Sequence, residues 1–197
     1  SPFAKTIKLL KMKKFPLFIL LTIAACFCFT ACVDGDGDVD TDWRDANVKF
    51  YQQQMQLTDA SGKAYYTLVV PSWDQNAQVL MHWYNDPKQT EGNLSPLYTS
   101  TVDVKYKLML YDGTPVDSSY NLSKSYGDSI LRTGITPAEV ISGWGVALSK
   151  MHIGDSCRVV VPYNQGYGII NYGTIKAYST LVFDIKLVGI PYYEAKP

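Results

Sequence analysis

The side chains best suited to act on another molecule in this chain are aromatic. Trp144 closes the run Val140-Ile141-Ser142-Gly143-Trp144, and Tyr167-Gly168 and Thr180-Leu181-Val182-Phe183-Asp184 follow it. Tyr106, Asp112-Gly113 and Val116-Asp117-Ser118-Ser119 come before. One Trp, one Tyr and one Phe thus stand at separated, turn-flanked positions, with a Val-Ile pair beside the Trp. Covalent and metal chemistry find no comparable set. The two histidines, His82 and His152, form neither a triad nor a metal set with Cys157. His82 sits in a strand-like run and His152 near a helix end, so both read as structural. By composition alone, Trp144 and Phe183 would be taken for core aromatics.

These residues need a scaffold, and the patterning supplies one. Residues 102–110 alternate, with Val102, Val104, Tyr106, Leu108 and Leu110 on one face and Asp103, Lys105 and Lys107 on the other. A period of two argues for an antiparallel sheet with one face on a core. Asp112-Gly113 is a hairpin turn signal. Residues 64–70, stopped by Pro71, and 78–83, ended by Asn85-Asp86-Pro87, read as further strands. Thr136 caps a short helix, with Pro137 at its first position and Glu139 completing a capping box. Gly143 interrupts that helix, which resumes at Trp144 and ends near His152. Strands over 156–161 and 180–188 flank a Gly- and Tyr-rich loop. Several antiparallel strands around one short helix make an α+β fold with a bent sheet wrapping the helix. Ahead of it, Asp42 caps a helical extension over 43–62, with Trp43, Val48, Phe50, Tyr51 and Met55 as its apolar side.

Taken in order and spacing, the quoted pieces resemble the FKBP-type peptidyl-prolyl cis-trans isomerases over about residues 102–190, within an FKBP-like domain spanning 63–197. The resemblance implies a proline pocket between sheet and helix, with Trp144 as its floor. Val140, Ile141, Tyr106, Phe183 and Ile175 would form the walls, the Ile141 amide would bond a ligand carbonyl, and Asp117 and the Tyr167 hydroxyl would supply polar contacts. It implies proline-containing polypeptides as substrates, admits a macrolide ligand, and calls for no cofactor or metal. Val116 stands where the family has an aromatic, and Ser129-Ile130-Leu131-Arg132 lacks a second pocket aromatic. The loop from 168 to 177 is also slightly short. A wider or shallower pocket is therefore expected, with lower activity or altered preference. A non-catalytic peptide-binding module of a cell-envelope assembly is the alternative.

The 197-residue, 22.0 kDa chain has a formal net charge of zero, which sums two unlike parts. Five lysines and no acidic residue precede Cys32; beyond it, 13 basic residues face 18 acidic ones, a net charge of −5. A net-negative body without a Lys/Arg cluster argues against nucleic acid. Lys11, Lys13 and Lys14 flank an apolar run over 15–29, so residues 1–31 read as a secretory signal. Phe29-Thr30-Ala31-Cys32 resembles a bacterial lipobox, with Ile23-Ala24-Ala25-Cys26 as the competing one. Lipid on Cys32 would anchor the protein to the outer membrane of the cell envelope, at its periplasmic or outer surface. Residues 32–42, acidic and Gly-rich, read as a solvated tether. Cys157 is then the one cysteine of the folded part, expected to be a buried structural thiol.

Overall fold

The structure, a computed structural model, describes residues 40–193. The expected signal, Cys26, Cys28, Cys32 and the tether as far as Val39 lie outside the described residues. In chain order the elements are α1 (Thr41–Gln56), β1 (Thr67–Val69), β2 (Val79–Trp83), β3 (Thr101–Leu110), β4 (Pro115–Ser118), β5 (Ser123–Lys124), β6 (Gly127–Asp128), β7 (Leu131–Gly134), α2 (Ser142–Leu148), β8 (Ser156–Val161) and β9 (Leu181–Gly189). This is the expected α+β fold.

All pairings in the main sheet are antiparallel, in the order β1-β2-β8-β9-β3, and the outer edge of β3 carries both β4 and β7. The alternation in β3 places Val102, Val104 and Leu108 on the inner face, where they join Val159, Val161, Phe183 and Ile185 against α2. The outer face is polar except where α1 covers it. There Tyr51 packs with Tyr66, Leu80, Val160 and Val182. Asp103, expected on the face opposite the apolar one, is buried and takes two 2.7 Å bonds from Arg132. The bidentate geometry compensates for the burial of its charge.

Two helix starts differ from expectation. Asp40, not Asp42, caps α1, its carboxylate accepting from the Trp43 amide at 3.0 Å; Asp42 falls in the first turn. Either residue type caps well, and the chain selects the one that also reaches Lys176. Met55, expected on the apolar side, is exposed.

The helix expected from Thr136 is instead a turn. The Glu139 and Val140 amides donate to the Thr136 carbonyl, and the Glu139 carboxylate accepts from the Gly134 amide and the Thr136 hydroxyl at 3.3 Å. Glu139 is thus satisfied by the preceding strand rather than by the cap residue's own amide. Ile141 then turns extended, with ψ 148°, and the helix begins at Ser142.

Helix α2 has seven residues and six of them are buried. Its two glycines are there for close approach. A Cβ on Gly143 would lie 2.5 Å from Val161 Cγ1, and one on Gly145 would lie 2.8 Å from the Ile135 carbonyl oxygen. Without side chains at those positions the helix sinks onto the sheet and presses Trp144 between them.

Candidate functional site

Trp144 lies at the junction of helix and sheet, 4% exposed. Its ring meets Tyr106 edge-on at 5.1 Å between centroids and Phe183 at 5.4 Å. Tyr106 and Phe183 are 6.4 Å apart, so three aromatic rings converge. Above them opens a cleft of about 140 Å³, lined by Tyr106, Leu108, Asp117, Leu131, Glu139, Val140, Ile141, Trp144, Tyr167 and Phe183. A cavity of roughly 150 Å³ accepts a six-carbon ring, so this one admits a small apolar ring.

Each wall has its own support. The Tyr106 amide donates to the buried Ser119 hydroxyl at 2.9 Å, fastening β3 to the turn after β4. The Tyr106 hydroxyl donates to Asp117 Oδ2 at 2.5 Å, and Asp117 Oδ1 accepts from the Ser118 amide. Burial, reinforced by the bond to Asp117, pushes the Tyr106 phenol well above its ordinary pKa. Tyr167 stands on the loop between β8 and β9, its ring stacked on Tyr172 at 4.3 Å. Burial raises its pKa too, helped by Tyr172 and the Asp117 charge. Among the described residues, none accepts a hydrogen bond from the Ile141 amide or from the buried Trp144 indole nitrogen.

Seven of the eight residues singled out from the sequence, Tyr106, Asp117, Val140, Ile141, Trp144, Tyr167 and Phe183, come together on this cleft. Ile175 does not line it. It is buried in the core and exchanges backbone hydrogen bonds with Tyr172, on whose ring Tyr167 stacks.

Leu108, Leu131 and Glu139 line the cleft and were missed. Leu108 follows Tyr106 by two on one strand face, a signal that was present. Leu131 stands opposite Val104 in register and supplies the wall of β7. Of the two departures, Val116 packs against the core and does not line the cleft, whereas the 129–132 segment reaches it through Leu131, an aliphatic wall, with Ile130 buried beside Gly127.

His82 is held by the Tyr65 carbonyl at 2.8 Å and stacked on the Tyr65 ring, away from the cleft. His152 lies 3.8 Å from buried Asp155. Cys157 is fully buried, and burial followed by the Asp155 charge pushes its thiol well up.

A bent antiparallel sheet holding a short helix, with an aromatic cleft between them, defines a class, and the comparisons name it. The family model for FKBP-type peptidyl-prolyl cis-trans isomerase matches residues 93–188. The chain is 38% identical over 100 residues to a macrophage infectivity potentiator from Trypanosoma cruzi, covering 50% of this chain and 47% of that protein. It is 33% identical over 103 residues to the FKBP-type isomerase FkpA of Buchnera aphidicola, covering 52% and 38%. The matches thus span about half the length of such relatives. Among solved structures, a peptidyl-prolyl cis-trans isomerase from Pseudomonas syringae aligns with a TM-score of 0.57 at 25% identity, over 79% of this chain and 98% of that one. FkpA from Escherichia coli shares the fold, with a TM-score of 0.57 at 20% identity over 91% and 83%. Residues 93–188, just under half of the chain, thus form a domain of the FKBP-type peptidyl-prolyl cis-trans isomerase kind.

Proposed function

We propose that the chain is a peptidyl-prolyl cis-trans isomerase acting on X-Pro bonds of exported proteins, held at the cell envelope by lipid on Cys32. One observation carries the catalytic part: Tyr106, Trp144 and Phe183 converge beneath a ring-sized cleft whose lining includes Asp117 and Ile141, the latter's amide without an acceptor among the described residues. The family and the names of the relatives support the same reading.

X-Pro isomerisation is slow because amide resonance must be lost, a barrier of about 18–20 kcal/mol. Twisting the bond reduces its charge separation, so a site with little water favours the twisted state over the planar one. Each ~1.4 kcal/mol of that preference is a tenfold gain in rate. The proline ring would rest on Trp144, with the preceding carbonyl bonded to the Ile141 amide. No proton transfer or covalent step is required. A macrolide ligand would occupy the same cleft.

The test is isomerisation of a peptide series varying the residue before proline, with Trp144→Ala and Asp117→Ala alongside. Acceleration that falls in both variants supports the reading. A folded protein that binds such peptides without accelerating them would leave a binding module instead. For the anchor, radiolabelled fatty acid should enter the full chain and Cys26→Ala but not Cys32→Ala; loss in Cys26→Ala alone would move the site.

A further inference from the structure

We propose that Asn47 of α1 is a positioning residue for the cleft, holding through Thr180 the loop that carries Tyr167. This deepens the proline-site reading and rests on it. Asn47 is fully buried, and buried polar groups persist where they are paired. Its side-chain nitrogen donates to the Trp43 carbonyl at 2.8 Å, and its Oδ1 accepts from the Thr180 amide at 2.7 Å. The Thr180 hydroxyl donates in turn to the Asn47 carbonyl at 3.1 Å. A helix that the sequence marks as an appendage is therefore hydrogen-bonded to the residue that launches β9.

The same limb of the loop meets α1 at every second residue. Lys176 bonds Asp40 at 3.0 Å and lies 5.0 Å from the Trp43 ring, and Arg44 lies 5.9 Å from the Tyr178 ring. Tyr178 has φ +63°, an uncommon backbone for a residue with a side chain, kept where its surroundings over-determine it. Its amide donates to the Gly168 carbonyl at 2.9 Å and its ring packs on Tyr163 at 5.1 Å. Gly168 is the neighbour of Tyr167 on the cleft wall. The path from helix to cleft is thus Asn47, Thr180, Tyr178, Gly168, Tyr167. Its links are hydrogen bonds at Asn47–Thr180 and Tyr178–Gly168 and covalent backbone at the other two steps, and it passes through the left-handed Tyr178.

The test compares Asn47→Ala, Thr180→Val and Thr180→Ser in the full chain. It reads kcat and KM, the Kd of a proline-containing peptide, and amide hydrogen exchange at Tyr178 and at Val160 in the sheet. Losing the clamp should raise KM and peptide Kd about three- to tenfold while kcat stays within about twofold. Exchange should quicken at Tyr178 roughly tenfold more than at Val160. Thr180→Ser, which keeps the hydroxyl, should behave as the parent does. Equal quickening at both amides with unchanged peptide affinity would reduce Asn47 to a fold-stabilising residue and overturn the proposal. Should Asn47→Ala fail to fold, Thr180→Val against Thr180→Ser decides by the same readouts. A parent protein without isomerase activity would sink the catalytic reading alone, since peptide affinity and exchange still judge the clamp.

Discussion

The Tyr106 hydroxyl and Asp117 Oδ2 meet at 2.5 Å across the β3–β4 hairpin, joining the apolar floor of the cleft to its polar rim. The Tyr106 ring that meets Trp144 is therefore fixed by a carboxylate, and the carboxylate is aimed by a ring. Neither residue would hold its orientation as well without the other.

Tyr106→Phe keeps the ring and removes this bond. A hydrogen bond to a charged group is worth about 1.5–3 kcal/mol, and less at an open rim such as this one. Isomerase kcat/KM is expected to fall about three- to tenfold with the thermal midpoint nearly unchanged. Full activity in the variant would show that Asp117 needs no anchor.

Among the described residues, the cleft lining carries two carboxylates, Asp117 and Glu139, and no Lys, Arg or His. Peptides with Lys near proline should be preferred over those with Glu by about three- to tenfold at low salt. The preference should shrink at 1 M salt, where the screening length drops to about 3 Å. Glu139→Gln should narrow it further. Equal rates for Lys and Glu peptides at low salt would mean the carboxylates are too well engaged by Tyr106, Gly134 and Thr136 to act on the substrate.

Cys157 sits at the centre of the sheet, fully buried. A thiol raised by burial and by the Asp155 charge is poorly nucleophilic as well as inaccessible. Alkylation at pH 8 followed by peptide mapping should leave Cys157 unmodified in native protein and modify it in urea. Rapid native labelling would require opening of the β8–β9 pairing.

What could be read before the fold was known followed the reach of each signal. Period-two alternation is local, so β3 and the inward set Val102, Val104 and Leu108 were legible. The order of motifs carried Trp144, Val140 and Ile141 to the cleft. The helix start was not legible, because Glu139 can satisfy its carboxylate on Gly134, a partner that only tertiary folding brings near. Ile175 was misplaced for a similar reason: the backbone of the 163–180 loop decides which apolar residue faces the cleft, and that backbone depends on Asn47 and Tyr178. Asn47 itself left a trace, since it falls four residues from both Trp43 and Tyr51 on one helix face, where a polar residue needs a partner.

Asp155 should set the acid limit of the fold. Its buried carboxylate accepts from the His152 amide at 2.8 Å, Asn85 at 2.9 Å, Thr90 at 2.5 Å and the Trp83 indole at 3.3 Å. Burial pushes its pKa up, but these donors outweigh burial and hold it below the ordinary carboxylate value. A group depressed in the folded state stabilises fully above its unfolded pKa, near 3.9, and loses that contribution as pH falls through the folded value. Asp184, depressed by the Arg158 and Tyr84 bonds against its own burial, adds in the same direction. Urea midpoints should therefore stay flat for these groups from pH 8 to about 5 and drop below about 4. Asp155→Asn presents an amide to donors that need an acceptor, so it should cost about 2–4 kcal/mol at pH 7 and flatten the acid slope. An unchanged midpoint at pH 7 would show that the loop over 85–93 is held to the sheet by something other than this carboxylate.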